Sequence, residues 1–187
     1  MILLIDKRCI LRLILFIIFI VAQNFYVSTS SAQNEIPTFS KYRADVYRGS
    51  LQIPSFARRD EGLWRDNYGK LIGQPDVNAG GRFYIARHSC GAECRYFTLS
   101  DLSSGRESTA LAEFSNNGIE PMKDAQGRTT VIDLYSRPDS FLIQVKYHAE
   151  SQDDSQEICN ERYFVLSNDG AKVRAITSMM HGCTIMK

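Results

Sequence analysis

The sequence predicts a mainly β protein: an antiparallel meander of about six or seven strands, closed on itself or sandwich-like, with a short helical segment near its N-terminus. Three observations carry that reading. Apolar and polar residues alternate over 82–89 and 141–148, the period-2 signature of strands with one buried and one wet face. Residues 129–135 (TTVIDLY) are rich in β-branched side chains. Turn signals at Ser103-Ser104-Gly105, Arg137-Pro138-Asp139-Ser140 and Asn168-Asp169-Gly170 separate these runs at hairpin spacing.

The elements follow in order. Residues 33–40, polar and containing Pro37, read as a lead-in. Residues 42–51 could form a short strand. Between 56 and 72, Phe56, Leu63, Trp64, Tyr68, Leu71 and Ile72 recur at roughly helical spacing, with Ser55 placed to cap the N-terminus and Gly73 to end the helix. Gly62 and Gly69 weaken such a helix; within it Trp64 is expected to anchor a core. Residues 82–89 place Phe83 and Ile85 on one face and Tyr84, Ala86 and His88 on the other. Residues 95–101 return after the cysteine turn, 106–111 extend the sheet, and 129–135 and 141–148 follow. Residues 162–167 and 172–177 make a further hairpin about the Asn168-Asp169-Gly170 turn. Neither a fixed-period repeat nor a linker divides the chain.

Of the 187 residues, 44% are hydrophobic and 23% charged, with 22 Lys+Arg against 21 Asp+Glu. This is globular composition, which excludes disordered and collagen-like classes. The near-zero net charge argues against a nucleic-acid binder working through a broad basic face.

Residues 1–32 read as a secretory signal peptide. Lys7, Arg8 and Arg12 precede the ten-residue apolar run 13–22 (LILFIIFIVA), and Ser30-Ser31-Ala32 supplies small residues before a cut near Ala32-Gln33. The alternative is a retained anchor, but a spanning helix needs about 20 apolar residues. No membrane span is therefore expected after cleavage. The leader holds three basic residues and one acidic, so 33–187 has 19 basic against 20 acidic, net −1. That length suits one disulfide-stapled β-rich domain. The expected location is periplasmic or secreted.

Four cysteines lie beyond the leader: Cys90, Cys94, Cys159 and Cys183. An even set in an exported chain reads as two disulfides. Of three connectivities, Cys90–Cys94 with Cys159–Cys183 is favoured, because Gly91 suits a tight reversal inside Cys-Gly-Ala-Glu-Cys. Two other readings stay open. One is a redox centre at Cys90 and Cys94, although C-x3-C is not the thioredoxin-like C-x-x-C. The other is a zinc site using His88, Cys90, Cys94 and His181.

Residues 78–94 read N-A-G-G-R-F-Y-I-A-R-H-S-C-G-A-E-C. This resembles small exported bacterial proteins of largely unassigned function whose motif approximates N-F-A-G-H-Y-x-I-x-x-W-G-C-G-x-x-C, followed by a strand and a D-x-x-[TS]-G turn. Asn78, Gly81, Phe83, Ile85, Cys90, Gly91 and Cys94 match, as do Asp101, Ser104 and Gly105 in the later turn. Ala79 stands where the family has an aromatic, Arg82 for its histidine, His88 for its tryptophan and Ser89 for its glycine. The resemblance covers about 30 residues; it implies an envelope protein with a stapled hairpin and no particular reaction.

No nucleophile elbow, H-E-x-x-H or phosphate loop occurs among the 187 residues, so the sequence points away from an enzyme and names no catalytic residue, cofactor or metal. Met179, Met180, His181 and Met186 invite a copper reading, against the plainer one of an apolar strand end beside a disulfide. The acidic stretch 151–157 lacks the spacing and glycine of a calcium loop. Arg82, Arg87, His88, Glu93 and Arg95 cluster around one hairpin and could form a polar rim for an envelope protein or anionic glycan; charges that protect a strand edge are the competing explanation. The expectation is a non-enzymatic, partner-binding protein, inhibitor- or immunity-like. The alternatives are a thiol–disulfide redox factor or a periplasmic metal-binding protein.

Overall fold

The computed structural model describes residues 35–91, 94–116, 122–149 and 158–184. The leader, Glu93, Met186 and the acidic stretch 151–157 lie outside the described residues. The fold is mainly β and antiparallel throughout. Ten strands occur among the described residues: β1 (Arg58–Asp60), β2 (Leu63–Arg65), β3 (Phe83–Ser89), β4 (Arg95–Asp101), β5 (Arg106–Ser108), β6 (Thr130–Ser136), β7 (Leu142–Ala149), β8 (Ile158–Leu166), β9 (Val173–Ala175) and β10 (Met180–His181). They form a β1-β2 hairpin, a three-stranded sheet in the order β3-β4-β5, and a five-stranded sheet in the order β10-β8-β7-β6 with β9 also on β8. All of them fall within one compact unit, Ile36–Lys187.

Alternation on β3 places it between two cores. Phe83 and Ile85 join Phe97 and Leu99 of β4 against Ile132, Ile143, Val145, Phe164 and Leu166 of the five-stranded sheet. Tyr84 and Ala86 point the other way, onto Phe56, Val77 and Leu102. A third cluster, Phe39, Leu142 and Tyr163, covers the outer face of the larger sheet. Each buried Val, Leu, Ile or Phe side chain among them contributes about 1.5–3 kcal/mol on leaving water.

The turn of β8 and β9 ties the sheets together. Arg82 donates to Asp101 at 2.9 Å and to the Asn168 carbonyl at 2.7 Å, and the Ser108 hydroxyl donates to the Gly170 carbonyl at 2.6 Å. Gly170 has φ +71°, and a Cβ there would sit 2.5 Å from the Phe83 ring, so only glycine fits.

Three expectations are corrected. The helix expected over 56–72 is instead the β1-β2 hairpin and a following loop; the only helical pieces among the described residues are single 3-10 turns at Phe39–Lys41 and Ala112–Phe114. Glu61 (φ 49°) and Gly62 (φ 83°) make a reversal that no α-helix accommodates. Trp64, on β2, is half-buried rather than a core anchor. Residues 42–51 form no strand. The segment is a strap, bridged once at Arg43 and Ser140, whose Ala44 and Tyr47 amides donate to the carbonyls of Asp139 and Gly81.

Candidate functional site

The β3-β4 hairpin positions most of the chemistry. Its ladder can be read from its ends: the Leu102 amide donates to the Arg82 carbonyl at 2.9 Å, and the Cys90 amide to the Cys94 carbonyl at 3.1 Å. With the register Phe83↔Asp101 through Ser89↔Arg95, the even-numbered residues of β3 bond to β4 and the odd-numbered ones face outward. Phe83 exchanges bonds with Ala79 at that outer edge. Ile85 is held by the Asn78 side chain, whose Oδ1 accepts its N–H at 2.7 Å and whose Nδ2 donates to its carbonyl at 3.0 Å. Asn78 thus imitates one peptide unit of a neighbouring strand.

The expected polar rim divides. Arg87 and Arg95 converge on Asp133 of β6. Arg95 Nη1 donates to Asp133 Oδ1, Arg87 Nη1 lies 3.4 Å from the same oxygen, and His148 Nε2 is 3.7 Å from Oδ2. Arg82 sits at the far end of the hairpin on Asp101. His88 belongs to the opposite, buried face, and Glu93 lies outside the described residues. Arg87, Arg95 and Ser89 line a cleft of about 580 Å³ between the β3 edge and the loop at 71–74.

His88 is 2% exposed and bridges two elements. Its Nδ1 is 2.9 Å from Asp66 Oδ2 and its Nε2 is 2.9 Å from Thr98 Oγ1. Tyr96 stacks on the ring at 4.4 Å and Phe56 meets it edge-on at 5.1 Å. Asp66 also accepts the Tyr68 and Lys70 amides, each at 2.9 Å. An ionised carboxylate only accepts, so Nδ1 carries the proton and donates to Asp66, while Nε2 shares a hydrogen bond with the Thr98 hydroxyl. The carboxylate–imidazole–hydroxyl order resembles a nucleophilic relay, but Thr98 does not line the adjoining cleft. Its evident work is to pin the loop after β2 onto β3.

Burial alone would raise the Asp66 carboxyl, but the bonds from His88, Lys70 and Tyr68 hold it below its ordinary 3.8. Asp101 is likewise lowered: burial opposes, and Ser103 and Arg82 prevail. A carboxyl lowered in the folded state contributes stability above its unfolded value, and loses it as pH falls through the folded one. The melting temperature is therefore expected to hold down to about pH 4 and to fall below it. Asp66→Asn should flatten that fall. An unchanged acid profile in calorimetry of that variant would refute the assignment.

Cys90 and Cys94 lie at disulfide distance at the hairpin tip (Cα–Cα 4.9 Å), as do Cys159 and Cys183 (5.6 Å). The second pair brings Thr184 over Glu161, which is 1% exposed. Glu161 accepts from Gln144 Nε2 (2.7 Å), the Thr184 amide (2.8 Å), Thr184 Oγ1 (2.8 Å) and the Tyr163 hydroxyl (3.2 Å). His181 lies against Asn160 at 2.9 Å. Among the described residues no group of three or more His, Cys, Asp or Glu is placed to hold a metal, and the zinc set His88, Cys90, Cys94 and His181 is not assembled. No helix among them is long and apolar enough to cross a membrane.

Sequence reasoning missed Asp66, Asp133 and Glu161. Asp133 had a signal: a charge within the β-branched run TTVIDLY needs a partner. Asp66 fell inside the expected helix, and Glu161 carried no local mark. No family model, curated protein or solved structure matches the chain.

Proposed function

We propose that this is an exported, non-catalytic β protein that binds a macromolecular partner of the bacterial envelope, in the manner of an inhibitor or immunity protein. The observation that carries the reading is that Arg87 and Arg95, both lining the cleft at the β3 edge, have one carboxylate, Asp133, between them and so retain capacity for a partner's acidic groups. Leu63, Tyr68 and Leu71 stand 49%, 79% and 59% exposed on the β1-β2 hairpin and the loop after it, and Leu71 also lines the cleft. Apolar side chains beside paired arginines are the composition of a protein-binding surface. Export is supported by the leader-like residues 1–32, by the even cysteine set and by the resemblance at 78–94. The test is capture from envelope extract by the oxidised protein. One or a few specific proteins are expected to be retained and to be lost with Arg87→Glu/Arg95→Glu; retention of nothing, with the disulfides intact, refutes it.

A further inference from the structure

We propose that the outer edge of β3 at Arg87 and Ser89 accepts an extended, carboxylate-bearing segment of a partner protein as an added strand. The inference rests on the partner-binding reading above and specifies its mode. The ladder turns the backbone N–H and C=O of Phe83, Ile85, Arg87 and Ser89 away from β4, toward the open edge of the sheet. Phe83 is satisfied by Ala79 and Ile85 by the Asn78 side chain. Beyond Asn78 the imitation stops. The N–H and C=O of Arg87 and of Ser89 take no hydrogen-bond partner among the described residues, and both residues are exposed. An edge with unpaired backbone groups is a template for another strand. Here it opens on a cleft of about 580 Å³ that can take a chain.

Charge selects the occupant. Arg87 and Arg95 flank the open edge with one carboxylate between them, so alternate acidic side chains on the incoming strand would meet guanidiniums. A second copy of this chain is disfavoured at the same place. Antiparallel pairing of β3 with itself would set the two Arg87 side chains near one another, and like charges opposed across a ladder destabilise it. The same arginine that deters self-pairing attracts an acidic strand.

The test uses the full chain, expressed with its own leader and purified with disulfides intact, and a blocked hexapeptide of alternating valine and glutamate. Binding is read by titration and by amide hydrogen exchange. Exchange at Arg87 and Ser89 is expected to slow on binding. Methylating the two peptide amides that face Arg87 and Ser89 should weaken it at least tenfold, since each lost backbone bond is worth up to about that factor. Replacing its glutamates by glutamine should weaken it several-fold and reduce its salt dependence. Ser89→Pro removes an outward donor without touching the β4 ladder and should also weaken binding about tenfold; Arg87→Gln serves as a second variant should the proline disturb folding.

Equal binding of methylated and unmethylated peptides overturns strand addition, as does slowed exchange at Arg87 and Ser89 in a peptide-free dimer. So does binding of an oligogalacturonate with no change at those amides, which would point to an anionic glycan. If the hexapeptide fails while envelope extract still yields a specific protein, strand addition falls and partner binding stands; if both fail, both fall.

Discussion

Replacing Cys159 and Cys183 together by alanine is expected to remove about 3–5 kcal/mol of folding stability. Two effects act in one direction. The crosslink spans 24 residues, and the entropy it withholds from the unfolded chain is worth about 3.5 kcal/mol. It also holds Thr184 over Glu161, which receives bonds from both the amide and the hydroxyl of that residue. A buried carboxylate that loses donors is left with an uncompensated desolvation penalty. The corresponding Cys90→Ala/Cys94→Ala variant removes a crosslink of only 4 residues' separation and is expected to lose about 2 kcal/mol. Urea unfolding of the two variants checks the order. Equal losses, or a loss below about 1 kcal/mol at the longer crosslink, would refute the account.

His88→Leu is expected to cost about 3–5 kcal/mol, because it leaves Asp66 buried without its ring partner. The pair spans 22 residues of sequence and fastens the loop after β2 to the middle sheet. The informative experiment is a double-mutant cycle with Asp66→Asn. A coupling of about 1–3 kcal/mol is expected. Additivity within about 0.5 kcal/mol would show that the two side chains do not stabilise one another. Tyr96 and Phe56 pack on the ring, so His88→Phe, which keeps the aromatic contacts, should still show most of the loss.

The strands with strong alternation were legible in the sequence. β3, β4, β6 and β7 fall where 82–89, 95–101, 129–135 and 141–148 predict them: the first and last runs alternate, 129–135 is β-branched, 95–101 returns from the cysteine turn, and turn residues separate them. The β1-β2 hairpin was not legible. Phe56, Leu63, Trp64, Tyr68, Leu71 and Ile72 fall at spacings that suit a helix, and the outcome turned on Gly62 and Gly69, both at positive φ. β10 is two residues long, too short for any pattern. The mainly β antiparallel class survives these misreadings because it rests on the long strands.

The site was half legible, and for a related reason. Alternation alone puts His88 on the face of Tyr84 and Ala86, opposite Arg87, so grouping the five residues by nearness in sequence mixed two faces of one strand. Arg87 and Arg95 come together because Ser89 pairs with Arg95 and Arg87 with Phe97 across the hairpin. Their common target, Asp133, comes from a different sheet 38 residues on. Contacts between sheets leave no periodic trace in either strand.

Because β3 presents odd-numbered side chains to one hydrophobic cluster and even-numbered ones to another, a frame error of a single residue cannot be absorbed there. Deleting one residue inside 83–89 would send Tyr84-type side chains where Phe83-type ones belong, on both sides at once. The β1-β2 hairpin, with an outward-facing first strand, has no such double constraint. Natural or laboratory diversification of this scaffold should therefore accumulate length changes at the exposed β1-β2 turn, Glu61-Gly62, ahead of the pinned Asp66, and almost none along the middle layer.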